Sequence, residues 1–473
     1  MNGLLSPLLL ATLVPLAACG RSQAKVIDQD TSRPDVLLIV VDTLRPDRLE
    51  PYGCERPTSP TIQSLAQRGV VFEDVTAQGS WTKPSMVSFL QGRYLTTYRD
   101  IPLEDSPTMA ELFRAAGYRT LAVVGNRLLS DREDFDRGFE GFYNSGASEA
   151  EHSSQGEDLM QAGRELLAQA YAPEEDGSRP PVFTWFHFME PHSPYRRHPE
   201  FEEELPTDRE MLGERRARYR EIMGEDAPTK TWMRIARSLA AYDQEVRKAD
   251  YWIDVLLGEV DRLGDLDNTI VVIASDHGEG LWQQASPPTE RPTDLVSPQT
   301  VLHGGHGKMV SINLVATPLI LSGPGIPEGV RVGEPVTNLD LFPTLLALCA
   351  QDVPEVLDGR DLRAAMHGAP LANEAVYTRV QKERAVRDPD SSWRLVVPSE
   401  GYEGEREVRL HDVAADPRET SNAAQTHPDI LRRLQAVLEG MEAQHASETS
   451  LGRVRSKQEQ ADMAALGYAG DDG

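Results

Sequence analysis

Cysteine is scarce in this chain: three residues in 473, at positions 19, 54 and 349. Such wide spacing excludes a zinc-binding cluster and a disulfide framework, and it leaves open whether Cys54 and Cys349 pair. Neither stands in a recognisable relation to a histidine, so cysteine does not supply a nucleophile. Basic residues are outnumbered, with 48 Lys and Arg against 75 Asp and Glu, a formal charge of −27. A nucleic-acid partner needs a basic surface and is excluded on that balance. An anionic substrate must then be held by a local positive group, such as a metal ion, against the field of the whole molecule. Repeats and low-complexity tracts are lacking too, apart from a polar tail over 446–473.

Long apolar runs are also missing. The stretch over residues 3–18 of "MNGLLSPLLLATLVPLAACG" is almost wholly apolar, but a membrane span needs ~20 residues, so it reads as a signal peptide. Leu16-Ala17-Ala18-Cys19 resembles a bacterial lipobox, in which Cys19 is lipidated and becomes the mature N-terminus. No Lys or Arg precedes the apolar run, a departure from the usual leader. The expectation is an exported lipoprotein, anchored by lipid to a membrane and facing the periplasm or exterior. Residues 1–19 form its leader and 20–33 a polar tether.

What is present is an ordinary globular composition, 40% hydrophobic and 26% charged. Short apolar runs recur, as expected of strands covered on both faces. "DVLLIVVD" ends in Asp42, "RTLAVVGN" in Asn126 and "PVFTWFHFMEPH" in His192. "NTIVVIASDHGEG" carries Asp276 and His277, and "TPLILSGPG" ends in a glycine turn. Helical patterns lie between them, the clearest a stripe of Val246, Ala249, Ile253, Leu257, Val260 and Leu263. Alternating strands and helices predict an α/β fold with a mainly parallel sheet. In such sheets ligands bind at the carboxyl ends of the strands, and these runs deliver Asp42, Asn126, His192, Asp276 and His277 to one rim. "EAVYTRVQ", "SWRLVVP" and "REVRLHDV" predict a small antiparallel sheet, followed by a helix near 428–442. The Pro/Ser/Thr-rich stretch 283–300 reads as a loop beside the site. The predicted domains are a catalytic one over 34–368 and a small C-terminal one over 369–445.

"GSWTKPSMVSFLQGRY", residues 79–94, reads as a helix opening at Thr82 and closed by Gly92. Thr82 fits either an N-cap or a nucleophile at the positive end of a helix dipole. Asp42, Asp276 and His277 are the residue types for a hard divalent cation with one nitrogen ligand. Taken singly, each also fits a helix cap or a turn. With Thr82 oxygen they make four protein ligands, and a metal together with a helix N-terminus stabilises an alkoxide that threonine cannot form alone.

Five motifs in order, "DVLLIVVDTLRPDRL", "SWTKPSMVSFLQGRY", "FHFMEPHSPY", "NTIVVIASDHGEG" and "VTNLDLFPTLLAL", resemble the sulfatase family of the alkaline phosphatase superfamily. The similarity runs from about residue 34 to residue 362. "VRLHDVAADPRETSNAA" is a weaker echo of the family's C-terminal stretch. The resemblance implies an alkaline-phosphatase/sulfatase-like sandwich and an ester hydrolase with one divalent ion (Ca, Mg, Mn or Zn). It implies Asp42, Asp276 and His277 as metal ligands and Thr82 as nucleophile and fourth ligand. His192 corresponds to a histidine that contacts the ester oxygens, with His187 assisting. His306 and Lys308 in "HGGHGKMVS" correspond to the basic pair that holds the anion and protonates the leaving group, and His303 is a looser candidate. Lys83 and Asn126 complete the set of candidates facing the anionic ester. As a packed strand residue His187 needs no such role, nor does Lys308 as a solvated loop lysine.

Three departures bear on mechanism. The family's C-x-P-S-R cysteine or serine, oxidised to formylglycine, is Thr82 here; the motif's arginine is Met86; the paired aspartates at the first strand end are Asp42-Thr43. A formylglycine hydrate keeps a second hydroxyl that expels sulfate, and threonine has none. A phosphorylated threonine can be attacked at phosphorus, so Thr82 favours phosphate or phosphonate esters, as in the superfamily's threonine-using phosphoglycerol and phosphoethanolamine transferases. Those carry membrane helices that this chain lacks, which favours hydrolysis over head-group transfer. A sulfatase and a non-catalytic anion-binding lipoprotein are the other readings.

Overall fold

The computed structural model describes residues 33–95, 102–145, 156–213 with 216, 229–285, 302–400 and 407–445. The expected leader with Cys19, residues 20–32 of the tether, most of the 283–300 loop and the 446–473 tail lie outside the described residues. The strands, in chain order, are β1 (Asp35–Val41), β2 (Gly69–Phe72), β3 (Val75–Thr76), β4 (Arg119–Val124), β5 (Gly141–Asn144) and β6 (Val182–Phe188). Next come β7 (Thr269–Ala274), β8 (Gly280–Ala285), β9 (Leu302–Gly305), β10 (Leu319–Ser322), β11 (Val330–Val332) and β12 (Val336–Thr337). The last four are β13 (Val376–Arg379), β14 (Glu383–Arg387), β15 (Trp393–Pro398) and β16 (Arg409–Asp412).

An eight-stranded sheet has the order β11-β2-β10-β7-β1-β6-β4-β5. From β7 through β5 every pair is parallel. The run "TPLILSGPG" becomes β10, which lies antiparallel to both β7 and β2. Side chains of β1 alternate between two cores, as a period of two requires. Val36, Leu38 and Val40 pack on one side with α2 (Thr82–Gln91), α3 (Met109–Ala115) and α6 (Leu341–Leu348). Leu37, Ile39 and Val41 pack on the other with α1 (Pro60–Gln67), α4 (Gly156–Ala170) and α5 (Thr229–Leu263). The predicted stripe on α5 is buried from Val246 through Val260, which places the long helix across one face of the sheet.

The C-terminal strands form one antiparallel sheet, β13-β14-β15-β16, backed by α7 (Pro428–Gln444) through Leu434 and Leu438. Strand β14, "ERAVR", was not foreseen, because three charges in five residues hide its alternation. Its Ala385 and Val386 are buried, and Glu383 is buried in ion-paired form. The stretch 283–300 was expected to be loop throughout, but its first three residues belong to β8.

Candidate active site

Register explains why the ligand-type residues meet. Val40 of β1 lies opposite Ala274 of β7 and His187 of β6, and His187 lies opposite Val124 of β4. Two residues beyond Val40, Ala274 and Val124 stand Asp42, Asp276 and Asn126. Three runs distant in sequence thus deliver their polar residues at one level of the sheet edge. Asp42, Asp276 and His277 are fully buried, and each offers one ligand atom within 4.8 Å of the others. The His277 Nε2 lies 3.7 Å from Asp42 Oδ1 and 3.4 Å from Asp276 Oδ2.

Local backbone fixes each ligand. The Asp42 amide donates to Phe188 O at 2.9 Å, at the end of β6. Thr43 adopts φ 58, rare for a β-branched residue, and its amide donates to Asp276 Oδ1 at 3.2 Å. The His277 amide donates to the same oxygen at 2.8 Å. His277 Nδ1 donates to Gly278 O at 2.8 Å, which turns Nε2 toward the carboxylates. Ser275 Oγ holds two loops, accepting from Leu44 N at 3.0 Å and donating to His277 O at 2.8 Å.

Thr82 is the first residue of α2, and Trp81 takes the N-cap place without a side-chain cap bond. The N-cap reading of Thr82 is therefore corrected: its hydroxyl turns toward the ligands. Oγ1 lies 3.4 Å from Asp42 Oδ2 and 3.4 Å from His277 Nε2. Asn126 Nδ2 donates both to Asp42 Oδ2 at 2.9 Å and to Thr82 Oγ1 at 3.3 Å. Ser85, one turn along α2, donates to the Asp276 carbonyl, and Gly92 closes the helix at φ 61.

This set fits a divalent cation. Asp42 Oδ1 and Asp276 Oδ2 are buried without a hydrogen-bond partner, a costly arrangement for a carboxylate without a cation. Burial, and then the charge of Asp276, push the Asp42 carboxyl well above the usual carboxylate range. A bound cation reverses that penalty. Two carboxylates with one imidazole suit a hard or borderline divalent ion.

His187 lies against the same carboxylates, its Nε2 4.0 Å from both Asp42 Oδ2 and Asp276 Oδ2. Burial pushes its imidazole down to about 4, so it is neutral. Above this floor stand two further histidines. The His306 ring is 4.5 Å from that of His277 and 5.0 Å from that of His192. His192 Nδ1 donates to Ser193 O at 2.7 Å. Lys308 is exposed, two residues beyond His306 on the same turn. Lys83 is buried against Glu133, 3.1 Å away, so its charge is already matched. His303 is on β9, and its side chain lies outside the described residues.

Glu279 is the residue that reading the sequence missed, although "DHGEG" puts it beside the ligands. It is fully buried, and its Oε1 accepts from His306 Nδ1 at 3.1 Å and from Gly280 N at 2.9 Å. Burial raises a carboxyl, yet His306, His192 and the Tyr195 hydroxyl together bring Glu279 down to about 2. Burial likewise pushes His306 down to about 4. The pair is a carboxylate accepting from a neutral imidazole, with the His306 lone pair on Nε2.

A family model described as Sulfatase matches residues 34–350. The chain belongs to the sulfatase family. It is 25% identical over 389 residues to an ulvan-active sulfatase of Formosa agariphila, covering 75% of this chain and 70% of that one. A protein solved in complex with its substrate D-glucosamine-2-N,6-O-disulfate superposes with a TM-score of 0.65 at 19% identity, over 88% of this chain and 98% of the other. The phosphonate monoester hydrolase of Agrobacterium radiobacter superposes with a TM-score of 0.63 at 17% identity, over 87% and 96%. The fold is thus that of the alkaline phosphatase superfamily, and this sulfatase-family protein is an ester hydrolase of that superfamily.

Proposed function

We propose that this hydrolase cleaves phosphate or phosphonate esters with Thr82 as its nucleophile. The observation that carries the reading is the Thr82 hydroxyl, at the first residue of a helix and within 3.4 Å of both Asp42 and His277. Asp42, Asp276, His277 and Thr82 would hold one divalent cation, which when bound lowers the pKa of a hydroxyl and neutralises ester oxygens. Asn126 orients Thr82 by its amide. Thr82 gives up its hydroxyl proton to solvent as the cation binds, and Oγ1 forms a bond to phosphorus while the bond to the departing alkoxide breaks. The Lys308 ammonium gives that alkoxide its proton, and the neutral His306 faces the anion without serving as the donor. Water then attacks phosphorus, and the bond to Thr82 breaks as its oxygen is reprotonated. His192 steadies the non-bridging oxygens. Threonine has no second hydroxyl with which to expel sulfate, so attack at phosphorus is the easier exit.

A sulfate ester is the second reading, favoured by the sulfatase relative and the sulfated-sugar complex. Turnover of matched aryl sulfate, phosphate monoester, phosphodiester and phosphonate ester, with metal add-back after chelation, separates the two. Faster phosphonate or phosphate turnover supports the threonine mechanism; a preference for sulfate refutes it and spares the metal site. Release of an alcohol that depends on an acceptor alcohol would indicate transfer, and no turnover of any ester would indicate an anion-binding protein.

Export as a lipoprotein belongs to the same proposal and rests on the "LAAC" sequence ending at Cys19. Among the described residues no helix is long and apolar enough to cross a membrane. Cys19→Ser should release the protein from membranes with its catalysis intact, and an uncleaved cytosolic wild-type chain would refute the proposal.

A further inference from the structure

The C-terminal sheet has no residue in the cluster of ligands, yet it grips both chain segments that bring Thr82 and His306 together. On one side, Arg379 N donates to Gln78 O at 2.9 Å and Thr378 Oγ1 to Ala77 O at 3.2 Å, so β13 holds the chain that leads into α2. On the other side lies the segment that follows Lys308. There Val310 N donates to Glu383 Oε2 at 3.0 Å, and Ile312 N donates to Glu419 Oε2 at 2.8 Å. Arg394 joins these contacts, donating to the Val310 carbonyl and to Glu419, while Arg409 pairs with Glu383 at 2.8 Å. The two gripped segments meet directly where Gly307 N donates to Ser80 O at 2.8 Å. Trp81, Met309 and Val310 pack with Val380, Ala385 and Val396 in one apolar cluster that seals the junction.

Glu383 and Arg394 are buried, as is the side chain of Glu419, and Glu419 sits at φ 52. A non-glycine residue in the left-handed region needs surrounding contacts to hold it there. Buried, ion-paired donors and acceptors have few alternative geometries, so the amides of Val310 and Ile312 and the carbonyl of Val310 are pinned within four residues of Lys308. The motif "VRLHDVAADPRETSNAA", which contains Arg409 and Glu419, gains a physical reason here: it supplies half of this grip.

We propose that Glu383, Arg394 and Glu419 are positioning residues of the active centre, setting the turn that carries His306 and Lys308 over Thr82. This rests on the reading that the turn contacts the ester. The conservative variants Glu419→Gln and Arg394→Lys are to be combined with Lys308→Ala and assayed on a phosphonate monoester with saturating metal. Each clamp variant alone should lower kcat at least fivefold with KM changed less than threefold. Amide exchange at Val310 and Ile312 should rise at least tenfold. In the Lys308→Ala background the kcat loss should shrink to less than twofold, because the group being positioned is gone. Equal losses in both backgrounds would overturn the clamp and leave the functional reading standing. Wild-type turnover by both Lys308→Ala and His306→Ala would instead overturn the functional reading, and the clamp with it. Should Arg394→Lys not fold, Glu419→Gln, which keeps an acceptor for Ile312 N, decides alone.

Discussion

The active centre has a floor and a rim built on different principles. The floor, Asp42, Thr82, Asn126, Asp276 and His277, stands at the ends of parallel strands and at the start of one helix. Strand register brings Asp42, Asn126, Asp276 and His277 together, each two or three residues past a paired position, and the start of α2 adds Thr82, which accepts from Asn126. The proposed rim, His192, His306 and Lys308, is carried by loops and turns whose placement depends on distant contacts: Glu279 for His306, and the C-terminal sheet for the turn. Floor residues are fixed by the fold's core and rim residues by individual polar contacts, so the two should respond differently to perturbation.

The largest effect should come from the floor. Thr82→Ala should lower turnover by at least about 10³-fold, the scale of losing a nucleophile. Because Trp81 rather than Thr82 is the N-cap, no cap is lost, and the stability cost should be only about 1–2 kcal/mol for a buried hydroxyl and its partners. Thr82→Ser should keep turnover within about tenfold of wild type, since the hydroxyl survives. Wild-type turnover in Thr82→Ala would remove Thr82 from the mechanism.

Asp276→Asn should come next, and it separates metal binding from folding. Cation affinity by calorimetry should fall by more than about 100-fold, beyond the loss seen for outer-shell partners. At 100 times Kd a cation stabilises the wild type by about 2.7 kcal/mol, and that gain should vanish in the variant. The metal-free variant should melt no lower than metal-free wild type, because one of two crowded buried carboxylates has been neutralised. A variant that binds metal as wild type does would show that the floor is no metal site.

Rim substitutions should be milder and should spare the metal. Lys308→Ala and His192→Ala should each cost about 10²-fold in kcat/KM, the range of one proton donor or anion contact, with cation affinity unchanged. A loss of cation affinity equal to that of Asp276→Asn would erase the distinction between floor and rim.

The same distinction governs what could be read before the fold was known. Asp42, Asn126, Asp276 and His277 were legible because each ends an apolar run, and a parallel sheet gathers such ends without further information. Thr82 was legible as a helix start, though Trp81 takes the N-cap place and Asn126 holds the Thr82 hydroxyl beside Asp42, which spacing cannot reveal. Lys83 was misleading: it adjoins Thr82, but Glu133, fifty residues away, takes its charge. Strand β14 was hidden because its charges pair inside the protein, so the usual alternation of apolar and polar residues is absent. Glu279 was overlooked for the opposite reason, lying in plain view in "DHGEG" while its partner His306 is 27 residues on.

Glu279 supplies the smallest and sharpest test, because it stands in the floor's loop and acts on the rim. Glu279→Gln keeps an oxygen to accept from His306 Nδ1 but removes the charge. Turnover should fall by roughly 3–30-fold, less than for a missing acid–base group, while KM and cation affinity stay within about threefold. In a His306→Ala background the substitution should have almost no further effect, since its partner is gone. Stability should report the same pair. Glu279 is held near 2, below the ordinary carboxylate value, so its ionised form contributes stability above about pH 4.5 that is lost as pH falls through about 2. Glu279→Gln cannot show that loss, and its melting temperature should vary less than the wild type's across that window. If the turnover loss is the same with and without His306, Glu279 acts on the metal floor itself, and the boundary between floor and rim must be redrawn to include it.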